Sequence, residues 1–437
     1  MNQKYIKLLI LFSIALAGFL FFLYYLDAIF SLVSFGKKGS IHVAVAVPVT
    51  GKDTLHGKSV VNGIKMYTET INREGGINGK KVILDIYDDM NDSLAAKEKA
   101  AEIVQHGQAL AVIGHYLSSC SVYAGEIYKK HGIPAVTPVS IDADVTQKND
   151  WYFRTINNNQ LQGRFAVNYL KNIAGIKTAG IIYENHPYGI NIARIFEKTC
   201  QEIGIEIKYK NGFTIQKNVD VDIVISDIVD ELYSEQETDI LFLATRAHAG
   251  IELVRQIRDS GIRISLAGPE TFASKTFRQG FSHYPIEKIY PGYYTNNIIV
   301  SSCMLFDSAN EKAQKFKDRY TTLYNEEPES DAAFAYDAAM VVFDAVKNAG
   351  IQGKKSTIKE DRGKIKDYLT QLNHIDYSVE GVTGYNFFDE TGDVSKDMYI
   401  GIYKSNRLIS ALTQIRNIHI TLMKFQMLKK LWKTAGY

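Results

Sequence analysis

The sequence predicts an α/β protein with two similar lobes around a cleft, preceded by one membrane-anchoring helix. Short apolar strands alternate with helical patterns, which implies βαβ units and parallel sheets covered on both faces. The alternation occurs twice, restarting after "WYFRTINNN". An uncharged apolar run fills residues 8–26, "LLILFSIALAGFLFFLYYL".

That run follows Lys4 and Lys7. A membrane span needs about 20 apolar residues, whereas a signal-peptide core has only about 7 to 15. Ala15-Leu16-Ala17 resembles a cleavage site, but bulky uncharged residues continue beyond it, and no cysteine follows Ala17-Gly18 to take a lipid. Residues 1–39 therefore read as an uncleaved anchor, with a cleaved signal peptide as the alternative. Lys37 and Lys38 follow the span and weaken the charge bias that sets orientation. The body is expected outside the cytoplasm, in the periplasm or extracellular space.

The first α/β set opens with the buried strand "IHVAVAVPV". Val60, Ile64, Tyr67 and Ile71 then recur at helical spacing. Strand "KVILDIYDD" leads to helix "SLAAKEKAAEIVQHG", where Asp88 and Asp89 are expected to cap. Strand 109–114, a helix over about 119–131 and strand "PAVTP" complete the set. The second set holds helix 161–173, strand "AGIIYEN", helix 189–203, strand "DILFLA", helix 251–260 and strand "RISLAG". Helices "SANEKAQKFKDRYTTLY" and "DAAFAYDAAMVVFDAVKNAG" follow, then a β-rich piece with turns at Glu390-Thr391-Gly392 and Lys404-Ser405-Asn406. Lobe 1 is assigned 41–158 and 296–385, and lobe 2 159–295 and 386–412. The tail 413–437 is basic and loosely amphipathic; contact with an anionic membrane surface and a plain solvated tail both fit it.

Composition narrows the function. Among 437 residues the net charge is only +2, so no strong field points to nucleic acid. The 27 tyrosines suit polar ligand clefts, although packing accounts for most of them. The three cysteines, Cys120, Cys200 and Cys303, form no CxxC pair and argue against a disulfide scaffold or zinc site. No GxSxG elbow, HExxH, GxxxxGK[ST] loop or Gly-rich dinucleotide fingerprint occurs. The expectation is a non-enzyme with no cofactor and no metal.

Ligands of open α/β sheets sit beyond the carboxyl ends of the strands. There "GHYLSSCS" puts Ser118, Ser119 and Ser121 at a helix start, where free amides and the dipole favour a small anion such as a carboxylate. A single serine N-cap is the plain alternative, and it explains one serine rather than the cluster. "TPVSID" adds Thr137, Ser140 and Asp142 at the same rim. In the second set Tyr188, Arg246 and Glu270 stand at strand-to-helix turns, in "ENHPYGIN", "FLATRAHAG" and "LAGPETFAS". The two rims together complement a zwitterion: carboxylate on the serines, ammonium on Glu270. A helix cap for Glu270 and a salt bridge for Arg246 are the structural alternatives.

Over about 41–412 the chain resembles the type I periplasmic solute-binding proteins, in particular the leucine/isoleucine/valine-binding branch. The resemblance rests on "GIKMYTETINREGGINGKKV", "IYDDMNDSLAAKEKAAEIV", "AVIGHYLSSCS", "GIPAVTPVS", "FRTINNNQLQG", "YGINIARIFE", "GPETFAS" and "AYDAAMVVFDA". It implies Rossmann-like lobes joined by a three-crossover hinge and closing on a small ligand. It also implies that Ser118 and Ser119 take an α-carboxylate, that Glu270 takes an α-ammonium, that Tyr188 lies beside the ligand, and that His56 covers it. Two positions depart from the branch. Arg246 stands where branched-chain binders carry Tyr, and "TPVSID" replaces a "TPAATA"-like loop, with Ser140 as a substitute for the missing threonine. An arginine there suits a second acidic group on the ligand, or a different polar metabolite.

Three readings follow. The first is extracytoplasmic capture of an amino acid or similar small polar solute for an ABC-type permease. The second is a membrane-anchored sensory module signalling to a membrane partner, and the third is an enzyme. The anchor favours the second, the absence of a recognisable output domain favours the first, and the lack of any nucleophile or metal set weighs against the third.

Overall fold

A computed structural model describes residues 18–19, 21–22, 39–215, 221–232 and 238–414. Nearly all of the predicted anchor, and the basic tail beyond 414, lie outside the described residues. Among the described residues no helix is long and apolar enough to cross a membrane.

The first sheet contains β1 (Ser40–Val47), β2 (Lys81–Asp88), β3 (Ala109–Gly114), β4 (Ala135–Thr137) and β5 (Tyr152–Arg154), in the order β2-β1-β3-β4-β5. Every pairing in it is parallel. Helices α1 (Thr54–Arg73), α2 (Ser93–His106) and α3 (Ser118–His131) connect the first four strands. The run from Val43 to Val47 is wholly buried, as a central strand covered on both faces requires. Asp92, rather than Asp88 or Asp89, caps α2: its carboxylate accepts from the amides of Leu94 and Ala95, each at 2.9 Å. Asp88 instead accepts from the Val49 amide at 2.9 Å, and Asp89 pairs with His115.

The second sheet follows in the chain: β6 (Thr178–Glu184), β7 (Glu206–Phe213), β8 (Ile240–Ala244), β9 (Ser265–Gly268) and β10 (Ile299–Ser302). They alternate with α4 (Asn159–Asn172), α5 (Pro187–Ile203), α6 (Val221–Leu232), α7 (Ala247–Asp259) and the short α8 (Lys275–Gly280). The chain then returns through α9 (Glu311–Tyr324), α10 (Ser330–Asn348) and α11 (Ile358–Gln371), which cover the first lobe. Gly63 lets α1 and α10 touch, because a Cβ there would lie 2.1 Å from the Ala332 carbonyl oxygen. After the small ribbon β11 (Val379–Glu380) and β12 (Tyr385–Asn386), β13 (Tyr399–Lys404) and β14 (Arg407–Ser410) complete the second sheet. Its order is β14-β13-β10-β9-β8-β6-β7, parallel except for β13 and β14.

The lobe boundaries fall later than the sequence suggests. β10 pairs with β9 and β13, so the chain stays in the second lobe to Ser302 rather than leaving at 295. Phe388 and Val394 are buried in the first lobe's core, so the last crossing comes after them rather than at 385. Arg154, fully buried at the end of β5, ties two crossings together. Its Nε donates to Asp393 Oδ1 at 2.8 Å, and its Nη1 to the Asp142 carbonyl at 2.8 Å. Asn158 Nδ2 donates to the other Asp393 oxygen at 2.7 Å. This buried, fully hydrogen-bonded ion pair gives the hinge a defined geometry.

Candidate functional site

The two lobes meet near the carboxyl ends of their sheets: Asn191 Nδ2 donates to Asp142 at 2.8 Å, and the Lys275 amide to Glu329 at 2.9 Å. On the first lobe's rim the loop after β3 carries His115, Tyr116 and Leu117 into α3. His115 is wholly buried; one ring nitrogen meets Asp89 at 2.6 Å and the other the Tyr128 hydroxyl at 2.9 Å. Its carbonyl accepts from Thr137 Oγ1 at 2.9 Å and Ser140 Oγ at 3.1 Å. Thr137 and Ser140 are therefore stitching residues. Both are buried, and the Ser140 hydroxyl also meets Ser121 Oγ at 2.6 Å and the Tyr116 carbonyl at 3.1 Å. Their hydroxyls face into the lobe, which leaves Ser140 turned away from the role suggested for a missing threonine.

Ser118 and Ser119 have different surroundings. The N-cap of α3 is Leu117, which offers no capping oxygen, so the serine-cap alternative is not what the helix adopts. The first-turn amides of Ser118, Ser119 and Cys120 have no intrahelical acceptor. Ser121, by contrast, already bonds back to Leu117 O at 3.0 Å. Ser118 is half-buried, its Oγ accepting from the Asp142 amide at 3.1 Å, and Ser119 is exposed. The start of α3 thus offers uncapped donors and the positive end of the helix dipole.

Beside it, Tyr116 reaches Asp331 at the start of α10, its hydroxyl 3.3 Å from Oδ2. His56, in the first turn of α1, places Nδ1 3.2 Å from the same oxygen, and its ring centroid lies 5.2 Å from that of Tyr116. Burial pushes the His56 pKa down, but the Asp331 carboxylate outweighs it and holds the ring above its ordinary value.

On the second lobe, Glu270 follows β9. The residue as a whole keeps some exposure, but its carboxylate is enclosed. Oε2 accepts from the Cys303 amide at 2.7 Å and Oε1 from Ser302 Oγ at 3.2 Å. No cation lies within ion-pair distance of it among the described residues. Burial pushes its pKa up to about 8, and the charge of Asp331 across the cleft adds to the shift. The Tyr188 hydroxyl is buried close to this carboxylate and to the Thr271 side chain, without a well-aligned hydrogen bond among the described residues. Gly189 sets that turn: a Cβ would lie 2.3 Å from the Glu184 carbonyl oxygen and 2.8 Å from that of Ala244.

Arg246 takes the salt-bridge alternative. Its guanidinium grips Glu184 through Nε, 3.1 Å from Oε2, and through Nη2 to Oε1. Glu184 is only 3% exposed whereas Arg246 is 43% exposed, so the arginine covers the acid while staying partly in solvent. Burial raises the Glu184 pKa, yet the guanidinium outweighs burial and keeps the carboxyl below its ordinary range.

The chain as a whole has counterparts among known proteins. A family model described as "Periplasmic binding protein" matches residues 40–407, nearly the whole described body. The chain belongs to that family. It is 26% identical over 357 residues to the leucine-, isoleucine-, valine-, threonine-, and alanine-binding protein of Pseudomonas aeruginosa, covering 81% of this chain and 87% of that one. It is 23% identical over 386 residues to Leu/Ile/Val-binding protein homolog 1 of Brucella abortus, covering 85% and 97%. Among solved structures, the branched-chain amino acid transporter substrate binding protein LivJ from Streptococcus pneumoniae, in complex with isoleucine, superposes with a TM-score of 0.71 at 23% identity. That match covers 85% of this chain and 99% of the other. The type I fold and the family resemblance expected from the sequence motifs are thereby upheld.

In this periplasmic binding protein an ionic strap also crosses the cleft mouth. Glu329, just before α10, accepts from the Lys275 amide at 2.9 Å and pairs with Arg278 of α8 at 3.2 Å. Glu326 meets Lys275 Nζ at 3.4 Å and Lys58 Nζ at 3.5 Å. Sequence reasoning missed Tyr116, Glu184, Glu329 and Asp331. Tyr116 adjoins the serine cluster and Glu184 ends a predicted strand, so position could have flagged both; nothing local marks Glu329 or Asp331. Among the described residues no group of three or more His, Cys, Asp and Glu is placed to hold a metal ion.

Proposed function

We propose that the chain captures a zwitterionic solute, an α-amino acid, between its lobes outside the cytoplasm and delivers it to an ABC-type permease. The observation that carries this reading is Glu270: an enclosed carboxylate with hydrogen-bond donors but, among the described residues, no cation. The ligand's ammonium supplies the missing positive charge, with Tyr188 beside it. Its carboxylate takes the α3 amides with Ser118 and Ser119, and His56 and Tyr116 close the first-lobe side. Both halves of the zwitterion are satisfied only when the lobes are together, so binding energy drives closure, and the strap from Glu329 to Arg278 adds to it. Thr137 and Ser140 act indirectly, by holding the loop that precedes α3. The apolar run 8–26 supports tethering of this body to the membrane, which would keep the captured solute near its permease.

A thermal-shift screen of the purified full-length chain against the amino acids, their amides, dicarboxylates and polyamines tests the reading. A ligand at a hundred times its Kd stabilises by about 2.7 kcal/mol, enough to move Tm by several degrees. At least one α-amino acid should do so, and its decarboxylated amine should not. Silence from every α-amino acid with well-folded protein rejects the zwitterion cleft.

A further inference from the structure

We propose that the side-chain end of this cleft selects an α-amino acid with an uncharged side chain that both donates and accepts hydrogen bonds, a carboxamide above all, through Asp331, His56 and Arg246. This rests on the amino-acid reading above and goes beyond it by naming the side-chain class.

Charge pairing comes first. Around the cleft Glu184 is matched by Arg246, Glu329 by Arg278, and Asp331 by His56. Asp53 accepts from Asn91 Nδ2 at 2.9 Å. Among the described residues neither Glu270 nor Asp53 has a cation within ion-pair distance, but Glu270 is the enclosed one, and the α-ammonium supplies its charge. A cationic side chain would face Arg246 and His56 with only the half-buried Asp53 to offset them, and an anionic one would face Asp331 and Asp53. The second acidic group that Arg246 suggests in the sequence is therefore disfavoured, because Glu184 already holds the guanidinium.

Hydrogen-bond capacity comes second. Asp331 receives His56 and Tyr116 on one oxygen, Oδ2, which leaves Oδ1 without a hydrogen-bond partner among the described residues. Arg246 uses Nε and Nη2 on Glu184 and leaves Nη1 without one. The two walls are close: the Lys275 amide donates to Glu329, two positions before Asp331, at 2.9 Å, and on the same lobe Thr271 Oγ1 donates to the carbonyl of Thr245, next to Arg246, at 2.9 Å. An acceptor on one lobe and a donor on the other match a carboxamide, whose NH2 donates and whose C=O accepts. A branched aliphatic side chain would cover both groups and satisfy neither. The buried Tyr188 hydroxyl, near Glu270 and Thr271, adds a polar group to this part of the protein.

Calorimetric titration of the full-length chain with glutamine, asparagine, leucine, valine, glutamate, lysine and alanine decides the matter. Glutamine or asparagine should bind at least tenfold tighter than leucine, lysine or glutamate. The variant Asp331→Leu should erase most of the advantage of glutamine or asparagine over alanine, read as the ratio of Kd values within that variant so that a general loss of affinity cancels; an unchanged ratio overturns the role given to Asp331. Tightest binding of leucine or valine, or of lysine or glutamate, overturns the carboxamide assignment and leaves amino-acid capture standing. Absence of binding by any α-amino acid overturns both. The wild-type panel is sufficient by itself should Asp331→Leu fail to fold.

Discussion

Glu270 offers the sharpest test of the cleft because its protonation must change when a ligand arrives. With a pKa near 8 in the empty protein, it is protonated in roughly nine molecules of ten at pH 7. An ammonium seated against it favours the ionised form, so binding at pH 7 should release roughly 0.9 proton from this residue, falling to about 0.1 at pH 9. Titrations in buffers of different ionisation enthalpy read that number directly. The same shift governs the stability of the empty protein. The folded value of about 8 lies above the ordinary 4.5, so the folded chain keeps a proton that the unfolded chain releases. Its contribution is fully present below pH 4.5 and is lost as pH rises through 8, on the order of 4 to 5 kcal/mol across the window. Glu270→Gln should flatten that decline and stabilise the empty protein at pH 8.5, while weakening an amine-bearing ligand by about 2 to 5 kcal/mol. Proton release below about 0.3 at pH 7, together with an unchanged Kd in the Gln variant, would refute the assignment of Glu270 to the ammonium.

Two further expectations concern the surrounding ion pairs. Arg246→Ala strands the buried Glu184 carboxylate and should cost about 1 to 3 kcal/mol in denaturant unfolding, a discount from a fully buried pair because Arg246 is 43% exposed. Adding Glu184→Gln should recover much of that loss, and a double variant no more stable than the single one would contradict the pairing. Glu329→Gln loosens the strap to α8 and should speed ligand release about 5- to 30-fold in a stopped-flow chase; an unaltered release rate would remove the strap from the closed state.

Elements that were legible share one property: their apolar pattern survives averaging over neighbours. β1, β3, β6 and β8 are continuous apolar runs. β7, absent from the sequence reading, is an edge strand whose "EIKYKNGF" leaves alternate charged residues in solvent. α11 was also absent from it: its core-facing residues include Asp361 and Arg362, and hydropathy gives those no inward direction. At the site, the serine cluster and Glu270 stood out because each adjoins a strand end. The choice among hydroxyls did not, since Ser118, Ser119 and Ser121 look alike in one dimension. On the helix, successive residues are turned by about 100°, so Ser119 meets solvent while Ser121 is sealed against Ser140.

By itself the sequence determined two α/β sets and the family, and it marked strand ends and one acid as candidates for holding a ligand. Those depend on short-range periodicity and on residue types at turns. Only the tertiary structure decided which charges remain unmatched. Arg246 meets Glu184, 62 positions away, and His56 meets Asp331, 275 positions away. Whether a charge is free to hold a ligand depends on the partner within about 4 Å, and folding alone brings those partners together.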